Sequence, residues 1–303
     1  MIRRVVACAF VALAATSAAQ AGTQLGIFGN LERFQSLTGQ RSQVGHVIVG
    51  WGQTTFDQIW PTLGPTPMLG FDTGRDRITP LAIARGGGDG FLLAMGESAR
   101  RLGKTVYIRP MGEMNGHWNA ASAYNQDGSL RNAAHSTASF RKAFARIYLL
   151  MHGGPKVNAA LKRLGLPPVA VDIPPNPHVI VVWNPQGYGS PDLPGNSAQA
   201  YYPGDSYVDM VGDDLYDIRG KAEWPAADAL YRAHPNKPFS FPEWGLWGID
   251  DPAFVEQMAT FVRTHPRTKM IAYFNAKPGS IFDLQSKPKS LAAYKKFIVP
   301  LGA

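Results

Sequence analysis

The chain has a single cysteine, Cys8, and it falls within the first 21 of 303 residues. Those residues read as an export leader. Arg3 and Arg4 precede an apolar stretch over 5–15, and Ala19-Gln20-Ala21 forms an A-x-A cleavage site. Cleavage near Ala21 leaves a chain without cysteine, which excludes disulfides, a thiol nucleophile and a cysteine-ligated metal. The leader's apolar stretch is shorter than the about 20 residues a membrane-spanning helix needs, so no stable membrane insertion is expected after cleavage. No Asn-x-Ser/Thr sequon occurs. Together these features predict a bacterial exported protein, secreted or periplasmic.

Other absences narrow the chemistry. The seven histidines show no spacing such as His-x-x-x-His, so no metal site is expected. The run Gly86-Gly87-Gly88-Asp89-Gly90 lacks the Gly-Lys-Ser/Thr of a phosphate cradle and follows no strand, so it reads as a turn feeding a helix. No cofactor is expected. There is no repeat, no low-complexity tract and no composition break, so the 282 residues left after removing 21 from 303 read as one domain, 22–303. Loss of Arg3 and Arg4 lowers the net charge from +8 to +6. Lysine and arginine are scattered, with only Lys287, Lys289, Lys295 and Lys296 loosely grouped, which fits simple solubility. The same basic balance could suit an acidic polysaccharide or an anionic envelope. No nucleic-acid motif is present, and a monomer is expected.

What the chain does have is a regular series of short apolar runs bounded by turn residues. They fall at 25–28, 46–51, 68–72, 105–110, 179–184, 208–216, 238–243 and 270–275. Most are continuously hydrophobic rather than alternating, as parallel strands covered on both faces should be. Helical patterns lie between them at 91–102 (with Asp89 as N-cap), 139–152, 157–164, 222–233, 252–264 and 289–297. Eight β/α alternations predict an α/β fold, a single (β/α)8 TIM barrel whose active site lies at the C-terminal ends of its strands. A doubly wound open sheet is the competing arrangement. The Pro-rich stretch 153–177 precedes the fifth strand and belongs at the bottom of the barrel. The Gly-, Pro- and Tyr-rich stretch 185–205 follows that strand and belongs on the active face.

Two glutamates close apolar runs: Glu113 in Arg109-Pro110-Met111-Gly112-Glu113-Met114-Asn115-Gly116-His117-Trp118, and Glu243 in Lys237-Pro238-Phe239-Ser240-Phe241-Pro242-Glu243-Trp244-Gly245. On this count they end strands four and seven, and two carboxyls facing each other can cut a glycosidic bond. Arg109, inside strand four, should point into the same mouth. Trp183, Trp244, Trp247 and Phe274 are candidate stacking platforms for sugar rings, since C–H faces pack on flat aromatics. For Trp183 and Phe274, core packing competes with that role.

With these strings the chain resembles glycoside hydrolase family 26, the β-mannanase-type family of barrel glycosidases. The resemblance also draws on Trp183-Asn184-Pro185 and on Tyr201-Tyr202-Pro203-Gly204-Asp205 followed by Val208-Asp209 and Val211-Gly212. It implies Glu113 as acid/base and Glu243 as nucleophile of a retaining β-glycoside hydrolase acting on a polysaccharide. Retention implies carboxyl groups about 5–5.5 Å apart. The resemblance further implies that Tyr216 hydrogen-bonds the nucleophile, with Arg109, Asn115 and Trp118 supporting the site or contacting sugar. The chain departs from the family at Gly112, where a histidine is usual, and at His117-Trp118-Asn119-Ala120-Ala121, where an aromatic cluster is common. These departures leave mannan, glucan, xylan and exopolysaccharide open as substrates, and a non-catalytic glycan-binding or matrix protein open as an alternative.

Overall fold

Eight strands close into one parallel barrel in the computed structural model, which describes residues 22–302. The expected leader, with Cys8 and the expected cleavage site, lies outside the described residues. The strands are β1 Gln24–Gly29, β2 Val44–Val49, β3 Met68–Phe71, β4 Val106–Pro110, β5 Val179–Trp183, β6 Met210–Ile218, β7 Phe239–Trp247 and β8 Thr268–Ala276. Each pairs in parallel with the next, and β1 pairs with β8 to close the ring. The closed ring excludes the open doubly wound sheet.

Around the barrel lie α1 Leu31–Thr38, α2 Pro80–Ala84, α3 Asp89–Leu102, α4 Thr137–His152, α5 Val157–Arg163, α6 Trp224–Ala233, α7 Pro252–Thr264 and α8 Pro288–Ala293. The β2–β3 and β5–β6 connections carry only short 3-10 turns. The helix expected at 289–297 is instead α8 followed by a π turn, Tyr294–Ile298. Asp89 is not an N-cap. Gly88 occupies that position, and Asp89 sits in the first turn of α3, where its carboxylate accepts from Arg146 Nε at 2.7 Å.

The pleat divides the strand side chains into two sets. Val44, Met68, Tyr107, Val182, Met210, Met270 and Ala272 fill the barrel interior. Their neighbours one position along, among them Ile108, Val181, Trp183, Val211 and Ile271, pack outward against the helices in a larger cluster. Arg109 is two residues beyond Tyr107, so it continues the interior column upward toward the mouth. His46 does the same above Val44.

Arg146, on the inner side of α4, is fully buried. It reaches Asp89 at the start of α3 and donates to the Pro167 carbonyl at 2.7 Å, so one cation ties α3, α4 and the Pro-rich connection together. Removing it leaves a carboxylate and a carbonyl without their donor. Arg146→Ala should lower the unfolding free energy by about 3–5 kcal/mol. Urea denaturation of the variant against the parent measures this, and a loss below about 1 kcal/mol would make the pair incidental.

Candidate active site

At the C-terminal end of β4 the chain turns sharply, with Met111 and Glu113 both in the left-handed region at φ 49° and 56°. Such backbone costs about 1–2 kcal/mol per non-glycine residue and needs support from its surroundings. It has that support. Met111 N donates to the Phe71 carbonyl of β3 at 2.6 Å, and Glu113 N donates to the Asn184 carbonyl just beyond β5 at 2.7 Å. Glu113 therefore does not end the strand, which stops at Pro110. The turn carries it three residues further, over the barrel mouth. Its two oxygens accept from Trp118 Nε1, at 2.8 Å, and from Gln186 Nε2.

Glu243 does not end its strand either, since β7 runs on to Trp247. Register explains the wall that results. Asp214, Tyr216 and Ile218 of β6 pair with Glu243, Gly245 and Trp247 of β7, a two-residue repeat on one face. Tyr216 donates its hydroxyl proton to Glu243 Oε2 at 2.7 Å, and Arg109 Nη1 donates to Glu243 Oε1 at 2.9 Å. Arg109 also reaches Asp214 through Nη2, and Asn184 Oδ1 through Nε at 3.1 Å. All of this guanidinium is buried, 4% exposed, beneath the cleft floor.

The cleft above measures about 600 Å³ and holds Glu113, Glu243 and Asp214 on its floor. Trp118, Tyr188, Tyr216, Trp247, Phe274 and Phe282 make its walls aromatic, and Lys221 and Glu223 lie on its rim. Trp118 and Trp247 are half exposed, at 50% and 45%. Trp118 lies so closely over Gly116 that a Cβ there would come within 2.4 Å of the indole ring.

Burial raises the Glu113 pKa, the Glu243 charge raises it further, and Arg109 opposes both. Burial, with the nearby Glu243, Asp214 and Glu113 charges, also pushes the Tyr216 hydroxyl well above its ordinary range, so it remains a donor. Asp214 is raised by burial against the pull of Arg109. Asp213, buried and accepting from Gly187 N at 2.8 Å, is pushed up to about 8, chiefly by burial.

Besides Arg109 beneath the floor, three expected site residues do not line the cleft. Trp183 is fully buried on the outer face of β5, edge-on to Tyr202 and His234. Trp244 lies one residue from Glu243 and so faces the helices, stacked on Tyr294. Asn115 is buried as a splint: its amide donates to the Gln186 and Tyr188 carbonyls at 2.9 and 3.0 Å and accepts from Gln186 N. It positions the two loop residues that do face the cleft. Arg109, Trp118, Tyr216 and Trp247 meet around the two glutamates, and Phe274 joins them from β8.

Sequence reasoning overlooked Asp214, which the i, i+2 parity with Tyr216 could have found. It also overlooked Gln186, Tyr188 and Phe282, which lie on loops and carry no periodic signal. Gly112 has a physical reason. A Cβ there would lie 2.6 Å from Arg109 Cζ, and that guanidinium cannot retreat because Glu243, Asp214 and Asn184 hold it. No group of three or more His, Cys, Asp or Glu able to hold a metal ion occurs among the described residues. No described helix is long and apolar enough to cross a membrane.

Comparison with known proteins adds to this geometry. The chain is 22% identical over 292 aligned residues to endoglucanase H of Acetivibrio thermocellus, covering 88% of this chain and 29% of that protein. It is 29% identical over 150 residues to a mannan endo-1,4-beta-mannosidase of Bacillus subtilis, covering 47% of this chain and 31% of that one. The chain thus spans less than a third of the length of either relative. Among solved structures, the Bacillus subtilis mannanase man26 superposes with a TM-score of 0.60 at 19% identity, over 92% of this chain and 86% of that one. The fold is that of the family 26 β-mannanases. A family 26 β-mannanase from Bacteroides ovatus gives a TM-score of 0.58 at 17% identity, over 92% of this chain and 88% of that one. No family model matches the chain.

Asp213 makes the barrel sensitive to pH. Its folded pKa lies near 8, against about 3.9 in an unfolded chain, so the folded state holds a proton that the unfolded state has lost. Its contribution to stability is therefore full below about pH 4 and declines through the interval up to about pH 8. Asp213→Asn keeps an acceptor for Gly187 and cannot ionise. Its stability relative to the parent should rise across that interval, at up to about 1.4 kcal/mol per pH unit. Parallel urea titrations at pH 4, 6 and 8 test this, and a constant difference would contradict it.

Proposed function

We propose that this protein is a secreted, retaining β-glycoside hydrolase resembling the family 26 mannanases, with Glu113 as acid/base and Glu243 as nucleophile. One observation carries the reading: both oxygens of Glu243 face donors, Arg109 and Tyr216, while Glu113 is recessed across the same aromatic-walled cleft. Paired donors hold Glu243 as an oriented carboxylate. Burial and the Glu243 charge favour the protonated form of Glu113, the form a general acid needs.

The chemistry follows in two balanced steps. The Glu243 carboxylate attacks the anomeric carbon as the glycosidic bond breaks, and Glu113 gives its proton to the departing oxygen. Water then attacks the glycosyl–Glu243 ester, passes a proton to Glu113 and frees Glu243. Trp118 and Gln186 steer the Glu113 carboxyl through both steps, and Trp247, Phe274 and Phe282 supply flat faces for sugar rings. The named activities of the two relatives make a β-linked mannan or glucan backbone the first substrate to try.

The test is reducing-sugar release from a panel of β-mannan, β-glucan and xylan, using residues 22–303. Hydrolysis of one polymer is expected, with Glu113→Ala lowering kcat by about 10²–10⁴-fold and Glu243→Ala at least as much. Proton NMR of early products should show the β-anomer, and the α-anomer would contradict retention. Activity should fall as pH rises through the elevated Glu113 pKa, and Glu113→Ala should abolish that alkaline limb. Silence on every polymer, with tight binding to one, would assign the barrel to glycan binding. Activity surviving Glu243→Ala would reject the nucleophile.

A further inference from the structure

Beside the cleft lies a second pocket of about 560 Å³ that shares Trp118 with it. Its other polar lining includes Arg75, Asp76, Arg131, Asn132 and His135. Arg75 and Asp76 come from the loop after β3, where Gly74, Arg75 and Asp76 take left-handed backbone in succession, at φ 62°, 56° and 64°. The rest come from the segment after β4. Both segments leave C-terminal strand ends, so the pocket opens on the same face as Glu113.

The charges in this pocket are already sorted. Asp76 accepts from, or pairs with, His135 Nε2 at 3.1 Å, and His135 Nδ1 contacts Asn132 Oδ1 at 2.9 Å. Arg131 spends its two terminal nitrogens on the Ala120 and His117 carbonyls, at 2.9 and 2.6 Å. Arg75 is exposed, and its guanidinium has no hydrogen-bond or ion-pair partner among the described residues. Two arginines against one aspartate leave the pocket net positive, with one planar cation free. The cleft beside it offers no such free cation, since Arg109 is buried and held by Glu243 and Asp214, while Glu243 stands on its floor and Glu223 and Lys221 share its rim. A sugar carboxylate would be repelled over the catalytic pair and attracted one step away across Trp118.

We propose that this pocket is a glycan subsite for a sugar bearing a carboxylate, with Arg75 as its specificity-determining residue and Trp118 as the ring platform joining it to the cleft. The natural substrate is then an acidic heteroglycan whose neutral unit occupies the cleavage position. This rests on the glycan reading of the main cleft, but it is tested by binding, which needs no turnover.

Affinity electrophoresis of the full chain would use glucuronoxylan and xanthan, each with and without carbodiimide–borohydride reduction of its carboxyls. The parent should be retarded about five- to tenfold more strongly by the carboxylated form of at least one polymer, and less so as salt rises. Arg75→Ala should bring that ratio near one, and Arg75→Lys should keep part of it. Arg75 is exposed, so an unchanged Tm confirms that the variants fold. Depyruvated xanthan separates a uronate from a pyruvate ketal as the carboxylate recognised. Equal binding of carboxylated and reduced forms, binding to neither, or a preference that survives Arg75→Ala would overturn the subsite. Hydrolysis of a neutral glycan with no carboxylate preference removes this inference alone. A carboxylate preference without hydrolysis removes the catalytic reading alone.

Discussion

The buried guanidinium of Arg109 is the interaction on which the site depends. It stands in the interior column of the barrel, above Tyr107, where an unpaired charge would be costly. Glu243, Asp214 and Asn184 share it, so strands β4, β6 and β7 and the end of β5 are referenced to one planar group. The same requirement reaches back into the sequence. Gly112 has no Cβ because that guanidinium occupies the place a Cβ would need. Any side chain at position 112 would have to displace that guanidinium from Glu243, Asp214 and Asn184.

Around that cation the protein concentrates carboxyl groups and then separates their behaviour by environment. Glu243 receives two donors from rigid strands. Glu113 sits on a strained turn, held by backbone bonds to β3 and to the residue after β5, with burial favouring its neutral form. A strand could not deliver this geometry, because a side chain on β4 either points inward at the level of Arg109 or outward to the helices. The left-handed turn at Met111 and Glu113 lifts the second carboxyl over the mouth. Backbone strain is here the means by which two acids of the same kind face one another in different surroundings.

Aromatic residues divide along the same lines. Trp183 and Trp244 insulate the barrel from its helices, whereas Trp118, Trp247 and Phe274 line the cleft, and the division follows strand parity more than residue type. Trp247 shares a face with Glu243 because it is four residues away, and Trp244 cannot because it is one residue away. Outside the aromatic cleft, the pocket around Arg75 is polar and net positive, so the active face presents two chemically distinct surfaces joined at a single indole ring.

The sequence by itself determined the barrel, since eight continuous apolar runs separated by helical patterns can bury both faces of their strands only by closing a parallel sheet under a shell of helices. It also singled out Glu113 and Glu243 by their surrounding strings, and both line one cleft although neither ends its strand. Tertiary structure alone decided which neighbours of those glutamates take part. Asn115 turned inward as a splint, Asp214 entered the site through cross-strand register, and Gln186, Tyr188 and Phe282 arrived on loops. Arg75 met Trp118 across two separate connections. Periodicity records which face of an element a residue occupies, but contacts between loops depend on distances that close only when the whole ring has closed, and no local pattern encodes them.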